Sequence, residues 1–205
     1  MSPLAKVDLP TCKSCLEGKA CRKPFGKATR ATHALELVHS DICGPMNVKA
    51  RHGASYFLTF IDDYTRYGYV YLISHRYEAL DCFRRFVAEV ENQQERSLKT
   101  FRTDRGREYL SDQFKELCEE EGIRRQLTIP RTPQQNGVAE RRNRTLLDMS
   151  RSMMAQAKFP ISFWGDALLT AAYILNRVPT QSVPSTPYEL WRGEKPNLEH
   201  LRPWG

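Results

Sequence analysis

Long apolar runs are missing from this 205-residue chain. No stretch of about 18 apolar residues occurs, which excludes a membrane-spanning helix. The opening segment also lacks the apolar centre of a secretory signal, so nothing points to an exported product. Cysteine is scarce and unevenly placed. Cys12, Cys15 and Cys21 cluster near the start, whereas Cys43, Cys82 and Cys118 are scattered through apolar patterns. That is no disulfide framework; it suits a reducing, intracellular setting in which the last three read as small buried hydrophobes. Acidic residues are in the minority, 24 against 31 Lys and Arg, giving a net charge of +7 and a pI near 9.2. The surplus favours an anionic partner, although alone it bears only on solubility and encounter. With 40% hydrophobic residues, the chain can build one well-buried domain of roughly 150 residues plus a small appendage.

Residues 1–30 are polar and basic, and Pro10, Gly18, Pro24 and Gly26 interrupt any regular element. The pattern then changes. Leu35–Ile42 reads as a strand, and Tyr56–Asp62 and Tyr67–Ile73 as aromatic and β-branched strands joined by the polar stretch Asp63–Arg66. Ala79, Leu80, Phe83, Phe86, Val87 and Val90 recur at helical steps across Arg76–Arg96. Lys99–Thr103 is a strand. Ser111–Glu121 is a helix with Ser111 as its N-cap and Gly122 as its stop. Arg124–Ile129 is a further strand, and Pro130 and Pro133 enforce a loop before a helix running from Gly137 to about Lys158. Ser162–Arg177 is a final helix, and the proline-rich tail beyond it is expected to wrap the surface irregularly. The order of elements indicates an α/β domain with a mixed sheet.

Three acids stand inside distinctive stretches: Asp41 in HSDICGP, Asp104 in RTDRGREY and Glu140 in TPQQNGVAERRNRTL. Thirty-five residues separate Asp104 from Glu140. Spacing alone decides nothing among 24 acids, most of which belong on a solvated surface. The flanks change the odds. Asp41 and Asp104 each fall at the carboxyl end of an expected strand, where open α/β sheets place their ligands. Glu140 falls in the first turn of an expected helix that could face them. Carboxylates of this kind make an oxygen-lined site suited to Mg2+ or Mn2+. Two such ions roughly 3.5–4 Å apart could clamp the attacking and leaving oxygens of a phosphoryl displacement.

Basic residues crowd around Glu140, which points to nucleic-acid phosphate. Asn143 and Arg144 lie three and four positions on, on the same helical face as Glu140, and are candidate contacts to DNA phosphate or base edges. Arg141 and Arg142 point elsewhere, as general backbone contacts or solvated charge. Gln134, Gln135 and Asn136 could reach nucleic acid from a loop in which Gly137 is a candidate hinge; a plain surface turn is the alternative. Cys12 and Cys15 form half of a zinc site, since four ligands are needed. Completion by His33 and His39 is disfavoured because His39 lies in the strand that positions Asp41. Histidines upstream, or no metal at all, remain open.

The stretches CKSCLEGKACRKPF, LELVHSDICGP, YFLTFIDDYTRYGYVYLI, RTDRGREY, TPQQNGVAERRNRTLLDMSRSMM, YILNRVPTQ and TPYELWRGEKPNLEHLRPWG follow one another along nearly the whole chain. Together they resemble the integrase of copia-type LTR retrotransposons, in the retroviral integrase superfamily. The resemblance implies an RNase H-like core with a mixed five-stranded sheet over residues 31–178. Residues 1–30 would be the remnant of a zinc module and residues 179–205 a C-terminal extension. It implies a catalytic, metal-binding triad of Asp41, Asp104 and Glu140 that joins the 3′ ends of element DNA to target DNA. Asn143 and Arg144 would touch the DNA ends, and Pro133–Gly137 would form a mobile active-site loop. Cys12 and Cys15 would be half of a His-His-Cys-Cys Zn2+ site whose histidines lie upstream, which marks the chain as a fragment of a polyprotein. Double-stranded DNA, a homo-oligomer and no membrane are the implied partners, with particle assembly in the cytoplasm and integration in the nucleus. Arg107 departs from the glycine of many relatives and bears on the turn beside Asp104. A cut-and-paste transposase or nuclease would share the acids but lack the cysteine pair and the ERRNRTL and TPYELW stretches. A domesticated, non-catalytic DNA-binding protein would be expected to have lost an acid, and none is lost.

Overall fold

A computed structural model of the chain describes residues 30–128, 136–199 and 201–202. Five strands, β1 (Val38–Cys43), β2 (Tyr56–Asp62), β3 (Gly68–Ile73), β4 (Thr100–Thr103) and β5 (Arg124–Leu127), form one sheet in the order β3-β2-β1-β4-β5. The β1–β2 and β2–β3 pairs are antiparallel; β1–β4 and β4–β5 are parallel. This is the mixed five-stranded sheet that the resemblance implied. Helices α1 (Ala79–Gln94), α2 (Asp112–Glu120), α3 (Gly137–Ala157), α4 (Trp164–Arg177) and α5 (Pro187–Arg192) complete the described elements, with 3₁₀ turns at Arg76–Glu78, Arg107–Leu110 and Ile161–Phe163. None of the described helices is long and apolar enough to cross a membrane.

Side-chain alternation divides the core between the two faces of the sheet. Val38, Leu58, Phe60 and Phe101 join Phe83, Phe86 and Phe114 from α1 and α2 in one cluster. Phe57 points to the other face, where Leu146 of α3 and Trp164, Leu168 and Ala171 of α4 cover it. Stacked rings knit the first cluster: Phe83 and Phe101 lie 4.2 Å apart and Phe60 and Phe86 4.4 Å apart. With helices on both faces, β2 is apolar on both and buries Phe57, Leu58, Phe60 and Ile61 almost completely.

Local chemistry explains most boundaries. The β2–β3 turn closes on Asp62, whose carboxylate accepts from the Thr65 amide and hydroxyl, each at 2.7 Å. Ser111 caps α2 by accepting from the Phe114 amide, and Gly122 follows with φ +67. The first strand begins three residues later than expected. Leu35 takes a left-handed backbone with φ 63, and its amide is captured by the buried Asp62 at 2.9 Å, so a turn precedes β1. Cys82 and Cys118 are buried as expected, but Cys43 is only half-buried.

The tail departs from the irregular wrap expected of it. Thr186 and Glu189 form a capping box, Pro187 occupies the first turn, and Gly193 ends α5 in a left-handed conformation. Trp191 of this short helix is 4% exposed and stacks on Tyr67 at 5.3 Å. It belongs to the same apolar cluster as α1 and the sheet.

Candidate active site

Asp41 leaves β1 on the face that looks toward α3, opposite Thr59 in the β2 register. Asp104 directly follows the last residue of β4. Because β1 and β4 are parallel with His39 beside Arg102, two further residues bring Asp41 level with Asp104. Asp41, two residues short of the end of β1, and Asp104, just past the end of β4, thus stand on neighbouring strands, spaced roughly 4.7–4.9 Å apart in any sheet. Glu140 lies in the first turn of α3. Burial, reinforced by the like charge of Asp104 and then of Glu140, pushes Asp41 up to about 7; the Asn143 hydrogen bond opposes the shift. The three acids therefore share one electrostatic neighbourhood. Among the described residues, no three His, Cys, Asp or Glu side chains stand close enough together to hold a metal as they are. The donor chemistry is nonetheless that of a hard divalent cation, carboxylate oxygens, although the half-buried Cys43 thiol two residues along β1 also feels the Asp41 charge.

The orientation of Asp41 is fixed by Asn143. Its Nδ2 donates to Asp41 Oδ2 at 2.9 Å, while its Oδ1 accepts from Thr59 Oγ1 at 2.9 Å. Asn143 is 4% exposed, so its expected role as a contact to DNA needs correcting: helical spacing correctly puts it on the Glu140 face, but its amide is spent inside the protein. Asn136 needs the same correction. It is 1% exposed, and its Nδ2 donates to the Ser40 carbonyl at 3.0 Å, latching the start of α3 onto β1. Arg144, by contrast, is exposed. Arg141 is exposed as well, whereas Arg142 is half-buried and donates to the Arg66 carbonyl, rather than standing as a general backbone contact or solvated charge. Gly137 is the buried first residue of α3. Cys12, Cys15, Pro133, Gln134 and Gln135 lie outside the described residues.

Several supporting residues escaped the sequence reading. The Gly106 amide donates to Asp104 Oδ1 at 3.0 Å, and a Cβ at that position would meet Glu108 Oε1 at 2.5 Å. Arg76 pairs with Glu108 at 2.8 Å, which ties the loop after β4 to the start of α1. Tyr109, fully buried within the RTDRGREY stretch, shares a 2.8 Å hydrogen bond with Ser40 Oγ, and burial pushes its hydroxyl pKa well up. Gly44, with φ +130, lies where any side chain would strike the Ser55 carbonyl at 2.8 Å. The glycines and the tyrosine were visible in the motifs that carry Asp41 and Asp104, but Thr59 gave no signal.

Residues 31–133 match the family described as Integrase core domain. The chain is 44% identical over 198 residues to the retrovirus-related Pol polyprotein from transposon TNT 1-94 of Nicotiana tabacum, covering 95% of this chain and 15% of that polyprotein. It therefore spans a small part of the length of this relative. Among solved structures, the simian T-cell lymphotropic virus intasome in complex with PP2A regulatory subunit B56 gamma superposes with a TM-score of 0.68 at 19% identity, covering 88% of this chain and 63% of that one. The HTLV-2 integrase catalytic core domain in complex with magnesium, in its trimeric form, gives 0.59 at 15% identity, covering 79% of this chain and 99% of that one. At those identities the structural likeness concerns the fold.

Proposed function

This chain belongs to the integrase core domain family, and on that premise we propose that it is the catalytic core of a retrotransposon integrase. It joins the 3′ ends of element DNA to target DNA by phosphoryl transfer. The observation that supports this reading is that three acids from three separate motifs share one electrostatic neighbourhood, Asp41 feeling both Asp104 and Glu140. Two Mg2+ or Mn2+ ions held by these carboxylates would activate the DNA hydroxyl and neutralise charge on the phosphorus. Asn143 and Thr59 hold the Asp41 carboxylate in one orientation, and the Gly106 amide does the same for Asp104. In the transfer, the oxygen of a 3′-hydroxyl bonds to a target phosphorus as a target P–O bond breaks. Arg144, exposed one turn beyond Glu140, takes a backbone phosphate of the DNA held at the acids.

Double-stranded DNA is the substrate in this reading, and two ends joined in one event require more than one active site, hence an oligomer. Cys12 and Cys15 would supply half of a Zn2+ site only if further ligands are present outside this sequence. Integration takes place in the nucleus after particle assembly in the cytoplasm. Labelled duplexes ending in the terminal sequence of the retrotransposon test the reading, with the flanking polyprotein segments included. Metal-dependent joining, lost in Asp41→Asn, Asp104→Asn and Glu140→Gln, is the expected outcome. Tight DNA binding by a folded oligomer, with no joining in the parent, would instead identify a non-catalytic DNA-binding protein.

A further inference from the structure

Behind the catalytic helix lies a basic cavity that strand joining does not use. It holds about 280 Å³; Arg66 from the β2–β3 turn and Arg141, Arg142 and Thr145 of α3 supply polar lining, beside apolar Ile61, Val138 and Leu175. At roughly 100° per residue, the four α3 positions centre about 150° around the helix from Glu140. The cavity therefore opens on the rear of α3, away from the three acids. At about 30 Å³ per water, its volume accommodates a small hydrated anion.

Charge in this cavity is one-sided. Arg66 has a partner, Asp63, at 2.7 Å. Among the described residues, no carboxylate lies within ion-pair distance of Arg141 or Arg142, and the one charge acting on Arg142 is the like charge of Arg66. Burial and that neighbour bring the Arg142 guanidinium down to about 10. One of its nitrogens donates to the Arg66 carbonyl, and the other donors of the planar fork have no hydrogen-bond partner among the described residues. A half-buried guanidinium with no carboxylate partner among the described residues is costly, and its fork geometry matches a phosphate group.

We propose that this cavity is a phosphate site, in which Arg141 and Arg142, backed by Arg66, take a phosphate group on the rear face of α3. The group could belong to a nucleic-acid backbone or to a free phosphate compound; both present the same oxyanion. A backbone phosphate there would hold α3, and Glu140 with it, from the side opposite the acids.

The test is calorimetric titration of the 205-residue chain at low salt without divalent metal, using sodium pyrophosphate in one arm and a short DNA duplex in the other. Pyrophosphate should bind saturably, at least tenfold more weakly in Arg142→Gln and several-fold more weakly in Arg141→Gln, with no weakening in Glu140→Gln. Duplex binding weakened in the same order would identify a backbone phosphate as the source; a loss confined to pyrophosphate would identify a free phosphate compound. Pyrophosphate should also raise the urea midpoint of the parent but not that of Arg142→Gln, a difference that a purely structural arginine would not produce. Arg141 is exposed, so its variant keeps the test decisive if Arg142→Gln fails to fold. No saturable pyrophosphate binding, or binding equal to the parent in both variants, would overturn the proposal.

Discussion

In the metal-free protein at pH 8, Asp41 is ionised against its surroundings. Its pKa stands at about 7 instead of 3.8, because burial and the charges of Asp104 and Glu140 oppose its carboxylate. A raised acid pKa means that the folded state holds the proton more tightly than the unfolded chain. The associated stability is fully present below pH 3.8 and is lost as pH rises through about 7. At 1.36 kcal/mol per pH unit, ionised Asp41 therefore destabilises the metal-free fold by about 4 kcal/mol at pH 8. Asp41→Asn removes the charge and keeps an oxygen to accept the Asn143 hydrogen bond. Urea denaturation in EDTA should then show the variant to be more stable than the parent by several kcal/mol at pH 8, with the gap closing toward pH 4. Adding Mg2+ at pH 8 should stabilise the parent and leave the variant unchanged. A variant less stable than the parent at pH 8, or a gap that does not vary with pH, would refute the reasoning.

Asn143→Ala removes, among the described residues, the side-chain donor that orients Asp41, and leaves the buried Thr59 hydroxyl with its long 3.4 Å contact to the Asp41 carbonyl. Urea melts should show a loss of about 1–3 kcal/mol, and joining should fall through kcat rather than KM. Gly106→Ala forces a Cβ against Glu108 and displaces the carboxylate that Arg76 holds; the expected cost is about 1–3 kcal/mol, with weaker Mg2+ stabilisation measured by thermal melting. Trp191→Ala empties a buried ring site against Tyr67, and chemical denaturation should register a loss of about 3–5 kcal/mol, whereas an irregular surface tail would lose almost nothing.

Particular residues show how far the sequence could be read. The β2 and β3 strands stood out because aromatic and β-branched runs on either side of a polar turn leave few alternatives. The three acids stood out because each sits in its own motif at an expected strand end or helix start. Helical spacing put Asn143 beside Glu140, but no periodicity could tell that Thr59, 84 residues earlier, waits across the sheet to take its carbonyl. Arg142 reads as a general backbone contact or solvated charge, the usual fate of an arginine in a basic run, and tertiary packing of α3 against the β2–β3 turn half-buries it instead. Left-handed Leu35 was invisible because its conformation depends on an amide bond to the distant Asp62. Helix α5 was obscured by the prolines around it, although Thr186, Pro187 and Glu189 carried a readable capping signal.

The central claim is that Asp41, Asp104 and Glu140 form one divalent-metal site, and anomalous diffraction from Mn2+-soaked crystals tests it most directly. Strong manganese peaks among Asp41, Asp104 and Glu140 are the expected result. Saturating Mn2+ that leaves no peak among these three carboxylates, in crystals where they remain ordered, would contradict the account.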